Sequence, residues 1–141
     1  MECKMENFVR DRLLTELDHV RLTRLVQRLG GGAATSVALA EMLDVVDVLP
    51  GREVPTDLVT MNSRVELREP GSRQARAITL SYPEEADPAA GMVSVLSPLG
   101  TQLLGLRAGD VAQWAAPDGR NHAAEVSAVL FQPEAAGDYL A

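Results

Sequence analysis

Two histidines, one cysteine and one acidic loop are the residues of this chain with the means to do chemistry. His19 and His122 lie in different regions. A nucleophilic triad would need one of them beside an activated Ser or Cys and an orienting acid. No Gly-x-Ser-x-Gly elbow occurs. His19 falls on a predicted exposed helix face and His122 follows a turn, so both read as surface residues. Cys3 is the only cysteine. It can form no intrachain disulfide and no paired zinc spacing, and it reads as an exposed thiol. Glu84, Glu85 and Asp87 offer oxygen to a hard cation, but such a loop is ordinarily solvated. Gly30-Gly31-Gly32 follows a helix rather than a strand and lacks the Gly-Lys-Ser/Thr of a phosphate loop. Phe8, Tyr82, Trp114, Phe131 and Tyr139 are too scattered to stack single-stranded bases. The residues therefore predict no catalytic group, no metal and no cofactor.

Composition points to a protein partner. The net charge is −7, and Lys4 is the single lysine among 13 basic residues. Phosphate-backbone binding needs clustered cations, so sequence-specific nucleic-acid recognition is not expected. An apolar fraction of 46% over 141 residues is enough for a packed core. No apolar run approaches the roughly 20 residues that span a bilayer, and no secretory signal pattern opens the chain. The expectation is a soluble cytoplasmic protein without a membrane partner.

The elements that would position any site fall into two regions. Thr15 to Asp18 has the form of a capping box that starts a helix. Leu22, Leu25, Val26 and Leu29 then make one helical stripe, closed by the glycines. A second helix is predicted from about Ser36 to Leu49, with Leu39, Met42, Leu43 and Val46 on its apolar side, stopped by Pro50-Gly51. The two form an antiparallel hairpin. Arg21, Arg24 and Arg28 on one helix either pair with Glu41, Asp44 and Asp47 on the other or stay solvated.

Beyond residue 53 the period changes to two. Val59, Met61, Val65 and Leu67 alternate with polar neighbours as in a half-buried strand. Ala77 to Tyr82 and Met92 to Leu96 are further strands, separated by an acidic loop. Ser97 caps a short helix with Pro98 at its first position, and Leu99, Leu103, Leu104 and Leu106 give its buried side. Asp110 to Ala115 and His122 to Phe131 form a hairpin around Pro117-Asp118-Gly119-Arg120. The tail from Pro133 is small and polar as far as Asp138. The sum is α+β: a helical hairpin over 1–52 and a curled antiparallel sheet with one short helix over 53–141.

Three segments add a resemblance. They are Val59-Thr60-Met61-Asn62-Ser63-Arg64-Val65, the stretch from Val95 through Ser97-Pro98 to Gly109-Asp110, and Gln132-Pro133-Glu134-Ala135-Ala136-Gly137-Asp138-Tyr139. Together with Leu17-Asp18 they resemble the family called regulator of nucleoside diphosphate kinase (Rnk), which is similar to the transcription elongation factors GreA and GreB. The resemblance implies a coiled-coil finger followed by an FKBP-like sheet domain. It implies docking at the rim of the RNA polymerase secondary channel through Leu96, Ser97, Pro98 and Leu99, and competition there with Gre factors. In Gre factors, acidic residues at the finger tip hold a metal for transcript cleavage. The tip here, Gly30 to Ala34, has no carboxylate, so no cleavage activity is expected. The alternatives are an FKBP-like prolyl isomerase, for which the chain has few aromatics to line a cleft, a direct role in nucleotide metabolism, or a general protein-interaction module.

Overall fold

A computed structural model describes residues 12–29, 34–115 and 118–138 of the chain. Cys3, Phe8, the glycines of the predicted hairpin tip, Pro117, Tyr139 and Leu140 lie outside the described residues.

The chain enters through a short strand, β1 (Leu13–Thr15), directly followed by α1 (Glu16–Leu29). Thr15 caps α1 as expected: its Oγ1 accepts the Asp18 N–H at 3.0 Å. Leu22 and Leu25 are buried, whereas Leu29 is 49% exposed, so the apolar stripe runs out at the far end of the helix. The second helix, α2 (Ala34–Val45), ends four residues earlier than predicted. Asp47–Leu49 is instead a strand, β2, parallel to β1. The Asp47 N–H bonds to the Arg12 carbonyl at 3.0 Å, so the β-branched run around Val45, Val46 and Val48 meets a strand partner. Helical spacing alone cannot reveal that partner.

The remaining strands are β3 (Arg64–Arg68), β4 (Ala75–Ser81), β5 (Met92–Ser94), β6 (Val111–Ala115) and β7 (Asn121–Phe131), with α3 (Pro98–Leu103) between β5 and β6. They make one sheet in the order β5-β4-β3-β7-β6. The sheet is mixed rather than wholly antiparallel, because β5 runs parallel to β4. Two register shifts between β3 and β7 curl it. At one of them the Ser127 hydroxyl donates to the Glu66 carbonyl and carboxylate, at 3.2 and 2.7 Å.

The expected strand over Val59–Arg68 begins only at Arg64. Val59 and Met61 are buried as the alternation implied, but Asn62 has φ 67°, which breaks the extended chain. Residues 60–63 are a turn, with the Ser63 N–H on the Thr60 carbonyl at 3.1 Å.

One apolar core joins both regions. Leu14, Leu22, Leu25, Leu39 and Leu43 from the helical part belong to the same cluster as Val65, Leu80, Leu103 and Val126 from the sheet part. α3 is pressed onto β5 at Gly100, where a Cβ would overlap the Ser94 carbonyl oxygen. Gly100→Ala should therefore lower unfolding free energy by roughly 1–3 kcal/mol, the usual cost of overpacking. Ser97→Ala should cost about 1 kcal/mol through loss of the cap. Urea denaturation followed by circular dichroism measures both, and a silent Gly100→Ala would contradict the tight seating of α3.

Candidate functional site

Leu96, Ser97, Pro98 and Leu99, for which the resemblance implies a docking role, sit in one corner between β5 and α3. Val95, fully buried, donates its N–H to the Ser81 carbonyl at 2.9 Å and holds the end of β5 against β4. The chain then turns. The Leu96 N–H bonds to Ser94 Oγ at 3.0 Å, and the Ser97 hydroxyl donates to the Ser94 carbonyl at 2.7 Å. The same hydroxyl oxygen accepts the Gly100 N–H at 3.0 Å, the cap predicted from sequence. Thr101 Oγ1 ties the first turn of α3 back to the Val95 carbonyl at 2.6 Å.

Ser97 is thus occupied twice within its own loop, which fixes the corner and leaves Ser97 a positioning role. The four residues are all half-buried. Leu96 and Leu99 rest on the core with one side and show the rest to solvent. Such a surface offers shape and apolar area on a rigid frame. The far end of α3 is held by Arg12, whose guanidinium donates to the Leu104 carbonyl at 3.4 Å and to Gln102 Oε1 at 3.4 Å. Burial lowers the pKa of Arg12, an effect that the Asp110 charge opposes.

The other candidate residues go elsewhere. His19 is half-buried rather than on an exposed face, and its Nε2 lies 3.0 Å from the Leu43 carbonyl, bridging α1 to α2. His122 stacks on Trp114 across the β6–β7 hairpin, with ring centroids 5.6 Å apart. The two histidines do not converge. Of Arg21, Arg24 and Arg28, the last two are exposed, as the solvated alternative has it, and the first is half-buried. They line a cleft of about 440 Å³ with Asn62, Tyr82 and the acidic loop after β4. Arg28 pairs there with Glu84 at 3.5 Å, both side chains well exposed. Among the described residues no group of three or more His, Cys, Asp or Glu is placed to hold a metal, and no helix is long and apolar enough to cross a membrane.

Sequence reasoning missed a second polar centre, at the base of the helical hairpin. Asp18 is 1% exposed, and its Oδ2 accepts the Met61 N–H at 3.1 Å. Burial pushes its pKa up to about 7; the Met61 N–H opposes this and the Glu134 charge adds to it. Glu134, in the tail, accepts from Thr60 Oγ1 at 2.8 Å. Tyr82 sits beside them, pushed up to about 12 by burial and next by the Asp18 charge, against the nearby Arg21. The signal available in the sequence was the fit of Asp18 to a capping box. That pattern predicts an exposed carboxylate, whereas here Asp18 reaches across to another region.

Comparison with known proteins agrees with this geometry. Residues 54–131 match the family described as transcription elongation factor, GreA/GreB, C-term. The regulator of nucleoside diphosphate kinase of Escherichia coli (strain K12) is 39% identical over 129 residues, covering 91% of this chain and 95% of that one. The elongation factor GreA of Desulfovibrio desulfuricans is 38% identical over 84 residues, but the chain spans only 48% of its length. Among solved structures, the prokaryotic transcription elongation factor GreA/GreB from Nitrosomonas europaea superposes with a TM-score of 0.74 at 31% identity, covering 86% of this chain and 98% of that one. The match to the Escherichia coli regulator and the superposition on the Nitrosomonas europaea factor extend beyond residues 54–131 into the helical region, and the chain belongs to the regulator of nucleoside diphosphate kinase family, within the wider GreA/GreB group.

Proposed function

We propose that the chain is a non-catalytic regulator of transcription that binds RNA polymerase at the rim of its secondary channel and competes there with Gre factors. The observation that carries this reading is the corner at Leu96–Leu99. It lies inside the segment shared with GreA/GreB, and hydrogen bonds from Ser97 to the Ser94 carbonyl, from the Gly100 N–H to Ser97 and from Thr101 to the Val95 carbonyl hold it in shape. Preorganisation of this kind reduces the ordering cost of binding.

The hairpin supports a non-catalytic role. α1 has 14 residues, and at 1.5 Å per residue it reaches roughly 21 Å. The sequence holds no Asp or Glu between Arg28 and Glu41, so the connection between the helices offers no carboxylate to a metal. A catalytic Mg²⁺ is ordinarily held by carboxylates. The chain would therefore occupy the channel entrance without delivering a cleavage metal.

The purified chain should co-elute with core RNA polymerase at micromolar concentration and be displaced by a Gre factor. It should leave transcript cleavage in stalled complexes at the background rate. Leu96→Gln with Leu99→Gln should weaken binding about tenfold or more, equivalent to about 1.4 kcal/mol. Arg73→Ala, on the exposed β3–β4 turn, should leave it unchanged. Failure to co-elute, or equal affinity in the double variant, would remove the basis of the reading.

A further inference from the structure

The five-stranded sheet guards its two edges unequally. At one edge lies β5, three residues long. The acidic loop after β4 folds back on it: the Asp87 N–H goes to the Met92 carbonyl at 2.9 Å, and the Met92 N–H to the Asp87 carbonyl at 3.0 Å. At the other edge lies β6, which is bonded to β7 alone. The ladder decides which of its backbone groups face outward. Gly109, at φ 96°, opens a bulge just before β6. Its N–H goes to the Val126 carbonyl at 2.7 Å, and the Val126 N–H returns to the Asp110 carbonyl at 2.9 Å. From there bonded and non-bonded pairs alternate, as in any antiparallel ladder. Ala112 with Ala124 and Trp114 with His122 are the bonded pairs, so Val111, Gln113 and Ala115 turn their N–H and C=O groups away from β7. Among the described residues none of these outward groups has a backbone partner.

Monomeric proteins blunt an open edge with a charge, a proline or a bulge inside the strand. β6 has none of these. Val111-Ala112-Gln113-Trp114-Ala115 carries no charge and no proline, and its register to β7 is unbroken. Val111 is 51% exposed, and Gln113 and Ala115 are exposed beside it. The strand is also complementary to itself. A two-fold axis through Gln113 sets Val111 opposite Ala115 of a second copy, and Trp114 opposite Ala112. Each face then pairs a large side chain with a small one, and the Trp114 ring is already held in place by its stack on His122. Charge selects the same occupant. The chain carries −7, so most of its surface repels a second copy, whereas two β6 strands bring no like charges together. A charged extended peptide would find no counter-charge on this strand.

We propose that β6 is a homodimerisation edge: two copies pair antiparallel about Gln113 and join their sheets into one continuous sheet. The outward N–H groups of Val111, Gln113 and Ala115 in each copy meet the outward carbonyls of the other, which closes the edge on both. A symmetric pairing of this kind is isologous and stops at two copies. One short strand buries less than a standard interface, so the dimer is weak and in exchange with monomer. The pairing uses none of Leu96–Leu99 and stands independently of the polymerase reading.

Sedimentation equilibrium of the full chain should give a mass nearer the monomer at about 50 µM and nearer the dimer at about 2 mM, the range of a weak interface. Amide hydrogen exchange read by NMR at the two concentrations tests the register. Val111, Gln113 and Ala115 should exchange more slowly at the higher concentration, whereas Ala112 and Trp114, bonded to β7, should be slow at both. Gln113→Pro removes one outward donor and no ladder bond, a placement that edge strands tolerate. Gln113→Lys sets like charges face to face at the axis. Each variant should keep the circular dichroism of the native chain and weaken dimerisation at least tenfold. A monomer mass at the higher concentration, a dimer in which the three outward amides stay fast, or a dimer of unchanged affinity in Gln113→Lys would each overturn the proposal. If Gln113→Pro does not fold, Gln113→Lys still decides it.

Discussion

A buried stretch of chain that is neither helix nor strand must find a partner for each of its backbone N–H groups, within its own turn or elsewhere in the molecule. Residues 59–63 are under that constraint, and their partners hold the rest of the molecule in register. The Val59 N–H goes to the Leu106 carbonyl, while the Val59 carbonyl receives the Gly105 N–H, which ties the segment to the chain leaving α3. Thr60 is satisfied locally by Ser63 Oγ at 2.9 Å. Met61 goes to Asp18 on α1. Asn62 and Ser63 engage Leu80 on β4 through its carbonyl and its N–H, at 2.7 and 3.0 Å. The hairpin, the sheet and the loop behind the α3 corner are thereby positioned against one five-residue segment. Asn62 accepts a left-handed backbone there because the flanking bonds leave it no extended alternative.

This constraint also explains the uneven legibility of the sequence. Elements whose partners are close in the chain read clearly. The Thr15 cap, the Ser97-Pro98 start of α3 and the β6–β7 hairpin each depend on contacts within a few residues. Within the corner at Leu96–Leu99, whose bonds run within 94–101, the Ser97 cap was legible for the same reason, while a docking role for it came from the resemblance alone. Elements set by distant partners did not read. β2 exists because Leu13–Thr15 lies alongside it, and a run such as Val45 to Leu49 is apolar enough to serve helix or strand equally. The alternation over Val59–Leu67 identified the buried residues correctly but could not show that Asn62 interrupts the strand. Asp18 was read as half of a local cap, whereas the N–H its carboxylate accepts lies 43 residues away.

The chemistry of the surface follows a similar division. Side chains that looked reactive in isolation are committed to structure: His19 to a helix carbonyl, His122 to the face of Trp114, and Ser97 to two bonds within its own turn. The arginines of α1 face the acidic loop after β4 rather than a second helix, because the hairpin lies against the sheet and not beside it as a separate rod. A molecule arranged in this way spends many of its polar side chains on its own architecture. It has a stiff corner, a charged cleft of both signs, and a helical pair whose base is anchored.

The anchoring is the part with the most physical content. A short helical pair with Leu22, Leu25 and Leu39 buried in the sheet's own core does not swing as an independent arm, since exposing three such side chains would cost several times the roughly 1.5–3 kcal/mol of each. Any change in its attachment must come from the polar junction, where the balance is finer. There a carboxylate is buried with only partial compensation, and that burial pushes the Asp18 pKa up to about 7. Apolar burial fixes where the hairpin lies, and the Asp18–Met61 contact sets how firmly its base is held. An asparagine at position 18 would offer the same N–H an acceptor oxygen without the cost of burying a charge.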